Sequence, residues 1–207
     1  MAAKLNRETI ARAGLRVLDV TGIDGVTMRA LATELGVRAP TLYWHVKSKD
    51  DLFRAMAIAM SQDAAALMTA ADRRAPWREC LTRWAHALRR TMLGHRDGAR
   101  VFAGTFAADP ATFDVIESVL DAWRDAGLSL ADAALRTALL RHFIIGFCLE
   151  EQTLTGLSRE PADDAAMTAD PARFPLTAQA LPAILATPAD ERFALGVRLM
   201  LSGITAT

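Results

Sequence analysis

A short stretch near the start of the chain, RAPTLYWHVKSKDDL at residues 38–52, gathers side chains that suit contact with a nucleic acid. It holds the only tyrosine of the chain, Tyr43, beside Trp44 and His45. An arginine such as Arg38 can bond a guanine edge bidentately, and alanine or threonine methyl groups can touch the methyl group of thymine. A phenol hydroxyl, an imidazole and ammonium groups suit phosphate oxygens, which fix register. We therefore expect this stretch to lie at a DNA surface.

A helix-turn-helix would present these side chains to DNA, and the positions of glycine and proline predict one. Gly36 can adopt the left-handed conformation that ends a helix, and Pro40 suits the first turn of the next. The second short helix would then enter the major groove with its N-terminus first. The expected elements are a helix at about 6–20, a turn at 21–25, a helix at 28–35 and a short helix at about 40–45.

The side chains of the two short helices divide between the core and the DNA. Ala32 lies where two crossing helices need a small residue, and Leu42 and Val46 are expected to face the core. Trp44 fits either core packing or DNA contact. The amide end of the helix that Thr27 caps can bind a phosphate. The predicted DNA-binding residues are Thr27, Arg29, Arg38, Ala39, Pro40, Thr41, Tyr43, Trp44, His45 and Lys49.

Charge is balanced over the whole chain but not along it. The 207 residues carry 24 Lys and Arg against 24 Asp and Glu, a net charge of zero. Residues 1–50 hold eight of the basic side chains and five of the acidic ones, so this quarter has a charge of +3 and the rest −3. A basic N-terminal region favours a nucleic-acid partner at that end.

The remaining composition predicts a cytoplasmic protein without a cofactor. Cys80 and Cys148 are the only cysteines, and their spacing fits neither a metal site nor a redox motif. The N-terminus lacks the apolar run of a signal peptide, and no stretch approaches 18 consecutive apolar residues. We therefore expect no membrane segment, no metal site and no cofactor.

Nearly every other segment predicts helix. SKDD at 48–51 and SLAD at 129–132 have the pattern of capping boxes. The expected helices lie at about 49–70, 76–93, 99–105, 110–126, 129–154, 174–186 and 188–203, with an irregular loop at 156–172. No segment alternates apolar and polar residues as a half-buried strand would. The predicted fold class is all-α, with about ten helices.

The motif GVTMRALATELGV…PTLYWHVKSKDDL resembles the DNA-binding domain of the TetR family of bacterial transcriptional regulators. HRDGARV at 95–101 and HFIIGFCLEEQ at 142–152 resemble the tetracycline-repressor subgroup of that family, with similar spacing over nearly the whole chain. The resemblance implies a DNA-binding domain at 1–48 and a ligand-binding and dimerisation domain at 49–207. It also implies a homodimer through the helices at about 129–154 and 188–203, which a palindromic operator of double-stranded DNA would match.

The last helix carries an apolar stripe that bears on the dimer. Phe193, Val197, Leu201 and Ile204 recur at helical spacing. Such a stripe favours the four-helix bundle of a dimer. The alternative is that it packs in the core of a single chain.

The resemblance also implies where an effector would bind, and there the sequence departs from the subgroup. A histidine that coordinates the magnesium of the drug in that subgroup is replaced by Phe102, and four further drug contacts map to Ala65, Trp84, Leu88 and Val119. A phenyl ring cannot ligate a hard cation. We therefore expect an apolar or aromatic effector other than tetracycline–magnesium. The predicted ligand-binding residues are Trp84, Leu88, Phe102, Thr105, Phe106, Val119, Trp123, His142, Phe143, Phe147 and Glu150.

Glu150 is the most unusual residue of that set. It shares one stripe of its helix with residues 135, 139, 142 and 146, which are Leu, Leu, His and Gly. A carboxylate on such a stripe is costly unless it is paired or hydrated. Either Glu150 faces the pocket, where it would favour a cationic or hydrogen-bond-donating ligand, or it pairs across an interface with an arginine such as Arg100 or Arg141.

The predicted function is a repressor that a lipophilic small molecule releases from its operator. The ligand would shift the helix at 99–105 and tilt the helix at 49–70, with HRDGA at 95–99 as a relay. One alternative is a constitutive DNA-binding regulator with a vestigial or filled pocket. Another is an enzyme with His142 and Glu150 as an acid–base pair, but no nucleophile or metal trio accompanies them. We expect no catalytic activity.

Overall fold

The chain is helical throughout the residues that the computed structural model describes, which are 5–103, 105, 109–156 and 169–202. No strand occurs among these residues, which confirms the all-α prediction. Most of the predicted loop at 156–172 lies outside them. The eleven helices of the described residues are α1 (Arg7–Gly25), α2 (Met28–Leu35), α3 (Ala39–Leu42), α4 (Lys49–Leu67), α5 (Ala70–Arg73), α6 (Trp77–Leu93), α7 (Gly98–Phe102), α8 (Pro110–Asp125), α9 (Leu130–Gly156), α10 (Pro175–Ala186) and α11 (Ala189–Ser202).

The helices belong to two compact units. One comprises Met1–Gln152 with Ile204–Thr207, and the other comprises Thr153–Gly203. None of the helices in the described ranges is long and apolar enough to cross a membrane.

The first three helices adopt the predicted helix-turn-helix. Thr27 caps α2 by accepting a hydrogen bond from the Ala30 amide at 3.1 Å, and Gly36 ends it in the left-handed conformation, with φ 64°. The turn predicted at 21–25 is instead a kink inside α1. Its centre is Gly22, whose φ of 72° favours glycine.

Arg7 fixes the start of α4 against α1. Its guanidinium donates to both oxygens of the Asp51 carboxylate, at 3.2 and 2.5 Å, and to the carbonyl oxygen of His45, at 3.2 Å. Ser48 accepts from the Asp51 amide at 3.1 Å, as predicted. The Asp51 carboxylate accepts from the Lys47 amide at 2.9 Å, and not from the Ser48 amide that a capping box would use. The hydrogen bond from Arg7 is the main reason that the pKa of Asp51 falls to about 2.

The core of the first unit lies between α4, α6 and α8, and α7 packs against α4 and α6. Fully buried side chains there include Met56, Met60, Leu81, Met92 and Trp123. The predicted helix at 49–70 ends at Leu67, and the short α5 that follows was not predicted. Thr69 and Asp72 form a reciprocal capping box at its start, which accounts for the break.

The second unit contains α10, α11 and the last residues of α9. On α11, Phe193, Val197 and Leu201 are buried within a single chain. The structure therefore favours the alternative interpretation of this stripe, in which it packs in the protein core. Ile204 lies outside the described residues.

Candidate DNA interface and effector cavity

The predicted DNA-binding residues form an exposed surface on the helix-turn-helix. Leu42 and Val46 have no exposed surface, as predicted, whereas Trp44 is 87% exposed and Tyr43 is 50% exposed. Core packing of Trp44 is therefore wrong, and its indole is available to a partner. Thr27, Arg29, Arg38, Pro40, Thr41 and Lys49 are also exposed, and Ala39 and His45 are half-buried.

Lys49 is held at the edge of this surface. Its Nζ lies 3.5 Å from the carbonyl oxygen of Ile23 and 5.3 Å from the centre of the Phe53 ring. These contacts place the ammonium group beside the kink of α1, where it remains exposed. An ammonium group there can contact phosphate as a point charge.

Five of the predicted effector residues are core residues in this conformation. Trp84, Leu88, Phe102, Val119 and Trp123 are all buried. The indole N–H of Trp123 is buried without an acceptor among the described residues. A buried donor of this kind costs free energy unless it finds a partner.

Two other predicted effector residues line an open cavity of about 420 Å³ between the end of α7 and α9. Its polar residues are Thr105, His142 and Arg141, of which Arg141 was not predicted. Its other lining residues are Ala103, Ile145, Gly146 and Leu149. This volume is within the range of about 300–1,000 Å³ that is usual for small-molecule sites.

The remaining predicted effector residues lie elsewhere. Phe143 and Phe147 are half-buried, with ring centres 6.0 Å apart. Glu150 is exposed and lies outside this cavity. It is eight positions from His142 on α9, which is about 12 Å along the helix axis, so the two side chains do not form an acid–base pair. Phe106 lies outside the described residues.

The buried carboxylate of α9 is the neighbouring Glu151. Its two oxygens accept from Nε and Nη2 of Arg89, at 2.9 and 2.7 Å. Only 9% of the Arg89 side chain and 15% of the Glu151 side chain are exposed. The sequence did contain a signal for this pair, because Glu151 follows the buried Ile144 and Cys148 at helical spacing.

The loop at 95–97 bonds directly to the end of α1. The Asp19 carboxylate lies 3.0 Å from Nδ1 of His95 and accepts from the Arg96 amide at 3.1 Å. The Asp97 carboxylate accepts from the Ile23 amide at 3.0 Å. The relay expected at 95–99 therefore contacts the DNA-binding helices through main-chain and side-chain hydrogen bonds.

Gln152 joins the same loop to α9. Its amide nitrogen donates to the carbonyl oxygens of Met92 and His95, at 3.1 and 2.8 Å, and its amide oxygen accepts from the Ala99 amide at 3.0 Å. One side chain thus connects the end of α6, the loop and the start of α7. Sequence reasoning did not assign it a role.

A second cavity, of about 570 Å³, lies between α4 and α7. Asp50, Phe53 and Arg54 contribute from α4, and Arg100 and Val101 from α7. Ala103 and Thr105 line both cavities. Ala103 and Thr105 therefore lie between the cavity beside α9 and the cavity beside α4.

Comparison with known proteins gives the same assignment over both parts of the chain. Residues 10–56 match the family described as bacterial regulatory proteins, tetR family. Residues 70–207 match the tetracyclin repressor-like C-terminal domain. The two matches together cover most of the chain.

Similar proteins span nearly the same length. The tetracycline repressor protein class D of Escherichia coli is 36% identical over 97% of this chain and 89% of its own length. A possible TetR family transcriptional regulator from Streptomyces coelicolor A3(2) is 35% identical, with a TM-score of 0.82 over 96% of this chain and 98% of its own.

Another Streptomyces coelicolor structure, of the TetR family protein ActR in complex with actinorhodin, is 27% identical and has a TM-score of 0.82 over 98% of this chain and 96% of its own. These similar proteins are transcriptional regulators of one family and not enzymes. The exposed helix-turn-helix and the helical body agree with that assignment. This chain belongs to the TetR family and is a DNA-binding transcriptional regulator.

Proposed function

We propose that this regulator is a repressor which a small organic molecule, other than tetracycline–magnesium, releases from a palindromic operator. The observation that carries this proposal is the hydrogen-bonded connection from the cavity to α1. Ala103 and Thr105, in the wall of the cavity, directly follow α7. The loop before α7 bonds to Asp19 and Ile23 of α1. A ligand that displaces α7 would therefore move the DNA-binding helices, provided that it prefers the displaced state.

The proposed DNA contacts are the exposed residues of the helix-turn-helix. Arg38 and Thr41 stand at the N-terminal end of α3, which would reach base edges. Tyr43, Trp44 and Lys49 would contact the phosphate backbone. We place the boundary between the DNA-binding domain and the ligand-binding domain at 48/49, where α4 begins.

The proposed homodimer joins through α9 and α11. Leu135 and Leu139 of α9 are 65% and 57% exposed, and Leu195 and Leu199 of α11 are also exposed. Exposed leucines at helical spacing are typical of a surface that another chain covers. A Leu139→Glu variant should sediment as a monomer and lose operator affinity, whereas Glu150→Gln should remain dimeric.

The charge near Phe102 disfavours a magnesium complex as the ligand. The guanidinium of Arg141 lies 5.1 Å from the centre of the Phe102 ring. Phe102 stands where the resembled subgroup has its magnesium ligand, so a divalent cation bound there would meet both a phenyl ring and a positive charge.

The alternative is a constitutive DNA-binding protein whose pocket is filled. The burial of Trp84, Val119 and Trp123 supports it, whereas the unsatisfied indole N–H of Trp123 supports a pocket that opens when a ligand arrives. An operator can be selected from random DNA with the purified protein and then challenged with a library of small organic molecules. If one compound releases the protein from DNA and also raises the melting temperature of the protein, induction is supported. If no compound does either, the constitutive alternative holds.

A further inference from the structure

Arg141 differs from Arg89, which is the buried arginine among the described residues. Arg89 has a bidentate carboxylate partner in Glu151. Arg141 takes part in none of the ion pairs formed within the described residues. Its Nη2 donates to the carbonyl oxygen of Thr105 at 2.9 Å, and its guanidinium lies against the Phe102 ring.

The location of Arg141 makes this lack of a counter-charge costly. Its side chain is half-buried, and burial alone lowers its pKa. An arginine stays protonated in spite of such a shift, so the site retains a full positive charge. A cation removed from water is stabilised when an anion with hydrogen-bond acceptors occupies the space beside it.

The space beside Arg141 is the cavity between the end of α7 and α9. One N–H of the guanidinium is used by Thr105, which leaves further donors for a bound molecule. The imidazole of His142 and the hydroxyl of Thr105 also line the cavity. The other lining side chains, such as Ile145 and Leu149, are apolar.

Glu150 of the same chain cannot supply the missing charge. It is nine positions from Arg141 on α9, which places it on the opposite face of the helix and about 13 Å away along the axis. Its side chain is exposed. The sign of the charge in the cavity is therefore set by Arg141, so the cationic ligand expected from Glu150 would be repelled.

We propose that this cavity binds an organic anion, an aromatic or aliphatic molecule with a carboxylate or phenolate that pairs with Arg141. This proposal rests on the proposed function, because it names the chemical class of its effector. Its charge is opposite to that of the cationic ligand that Glu150 would favour if it faced the pocket.

Calorimetric titration of the DNA-free protein with compounds that share a ring system and differ in the charge of one substituent tests the proposal. The probes are 2-naphthoate, 2-naphthamide and 2-naphthylmethylammonium, together with anthracene-2-carboxylate and its amide. We expect each carboxylate to bind about tenfold or more tightly than its amide, since a charge-assisted hydrogen bond is stronger than a neutral one. The ammonium compound should bind most weakly.

Three variants test whether Arg141 causes the preference for carboxylates over amides. Arg141→Gln should remove the difference between carboxylate and amide, and Arg141→Lys should keep part of it. Arg136→Gln is the matched control, because it removes one positive charge from the same helix outside the cavity. Equal binding of carboxylates and amides, an unchanged preference in Arg141→Gln, or no binding of any anion at millimolar concentration would each overturn the proposal.

A second copy of the chain could also neutralise Arg141, and this outcome is distinguishable. Melting temperatures of Arg141→Gln, Glu150→Gln and the double variant form a cycle. Additive effects agree with an anion site. Strong coupling would mean that Glu150 of a second copy already pairs with Arg141, and the proposal would fail.

Operator release is measured separately, so that the two proposals can fail independently. If a carboxylate binds through Arg141 but the protein stays on its operator, the anion-site proposal stands and induction through this site is rejected. If a neutral compound releases the protein from DNA and no anion binds, induction by a small molecule stands and the anion-site proposal is rejected.

Discussion

The carboxylate of Asp19, in α1, lies 3.0 Å from Nδ1 of His95 and accepts a hydrogen bond from the Arg96 amide. These contacts join residues that are 76 and 77 positions apart. The loop at 95–97 is therefore bonded to the DNA-binding helices as well as to the rest of the protein.

Asp19→Ala should loosen this connection. Loss of the acceptor for the Arg96 amide and the His95 ring should lower the free energy of unfolding by about 1–2 kcal/mol. Denaturant titration measures this loss, and Asp24→Ala, an exposed acidic residue that the same helix carries, is the control. A variant as stable as the control would show that the contact contributes nothing.

Gly22→Ala should lower the free energy of unfolding more than Asp19→Ala or Asp24→Ala does. The residue has φ 72°, and an added Cβ would lie 3.1 Å from the Asp97 carboxylate and 3.2 Å from Nε of Arg96. Strain and crowding together should cost about 1–3 kcal/mol. Gly36→Ala should lose less, because Gly36 lies in the ordinary left-handed region, with φ 64° and ψ 30°, and an added Cβ there meets no atom within 4 Å.

The stability of the protein should fall in acid because of Asp51. Its pKa is lowered from 3.8 to about 2 in the folded protein, mainly by the hydrogen bond from Arg7. A carboxylate with a lowered pKa stabilises the fold above its unfolded pKa, and this contribution is lost as the pH falls from about 4 towards 2. Asp51→Asn should be less stable than the wild type at neutral pH, and the two should converge near pH 2. Parallel stability curves across this range would contradict the assignment.

Substitutions at Trp44 and at Leu42 should affect different properties, operator binding for Trp44 and stability for Leu42. Trp44→Ala removes an exposed indole, so it should weaken operator binding in a fluorescence anisotropy titration and leave the melting temperature within error. Leu42→Ala removes a fully buried side chain and should cost about 2–5 kcal/mol of stability. A Trp44→Ala variant that binds DNA normally would remove that residue from the interface.

The Arg89–Glu151 pair should behave as one unit. Either Arg89→Met or Glu151→Leu removes this ion pair and leaves the opposite charge buried, and should cost about 3–5 kcal/mol. The double variant Arg89→Met, Glu151→Leu should recover much of that loss, because neither charge then remains buried. Additive losses in urea unfolding would show that the pair contributes no coupling.

The fold was largely predictable because its signals are local. Thr27, Gly36 and Pro40 set the bounds of the short helices through capping and backbone conformation, and these effects act within one turn. The turn predicted at 21–25 contains the kink at Gly22, but the residues that follow Gly22 continue as helix to Gly25.

The candidate effector site was less predictable because it depends on contacts between distant segments. Glu150 and Glu151 are adjacent in sequence, and although Glu151 continues the helical spacing of Ile144 and Cys148, its partner Arg89 is 62 positions away. Trp84 and Phe102 have the composition of a ligand pocket, yet they pack as core in this conformation. The Thr105 carbonyl that accepts from Arg141 is 36 positions away in sequence.

The contacts of Gln152, Asp97 and Asp19 involve mostly main-chain amides and carbonyls of their partners. Such partners are present whatever side chains line the cavity. Under the proposed function, substitutions in the cavity would therefore exchange one inducing chemical for another and leave these contacts in place. A protein built in this way offers a starting point for engineered biosensors, in which the recognised compound is altered and the genetic response is kept.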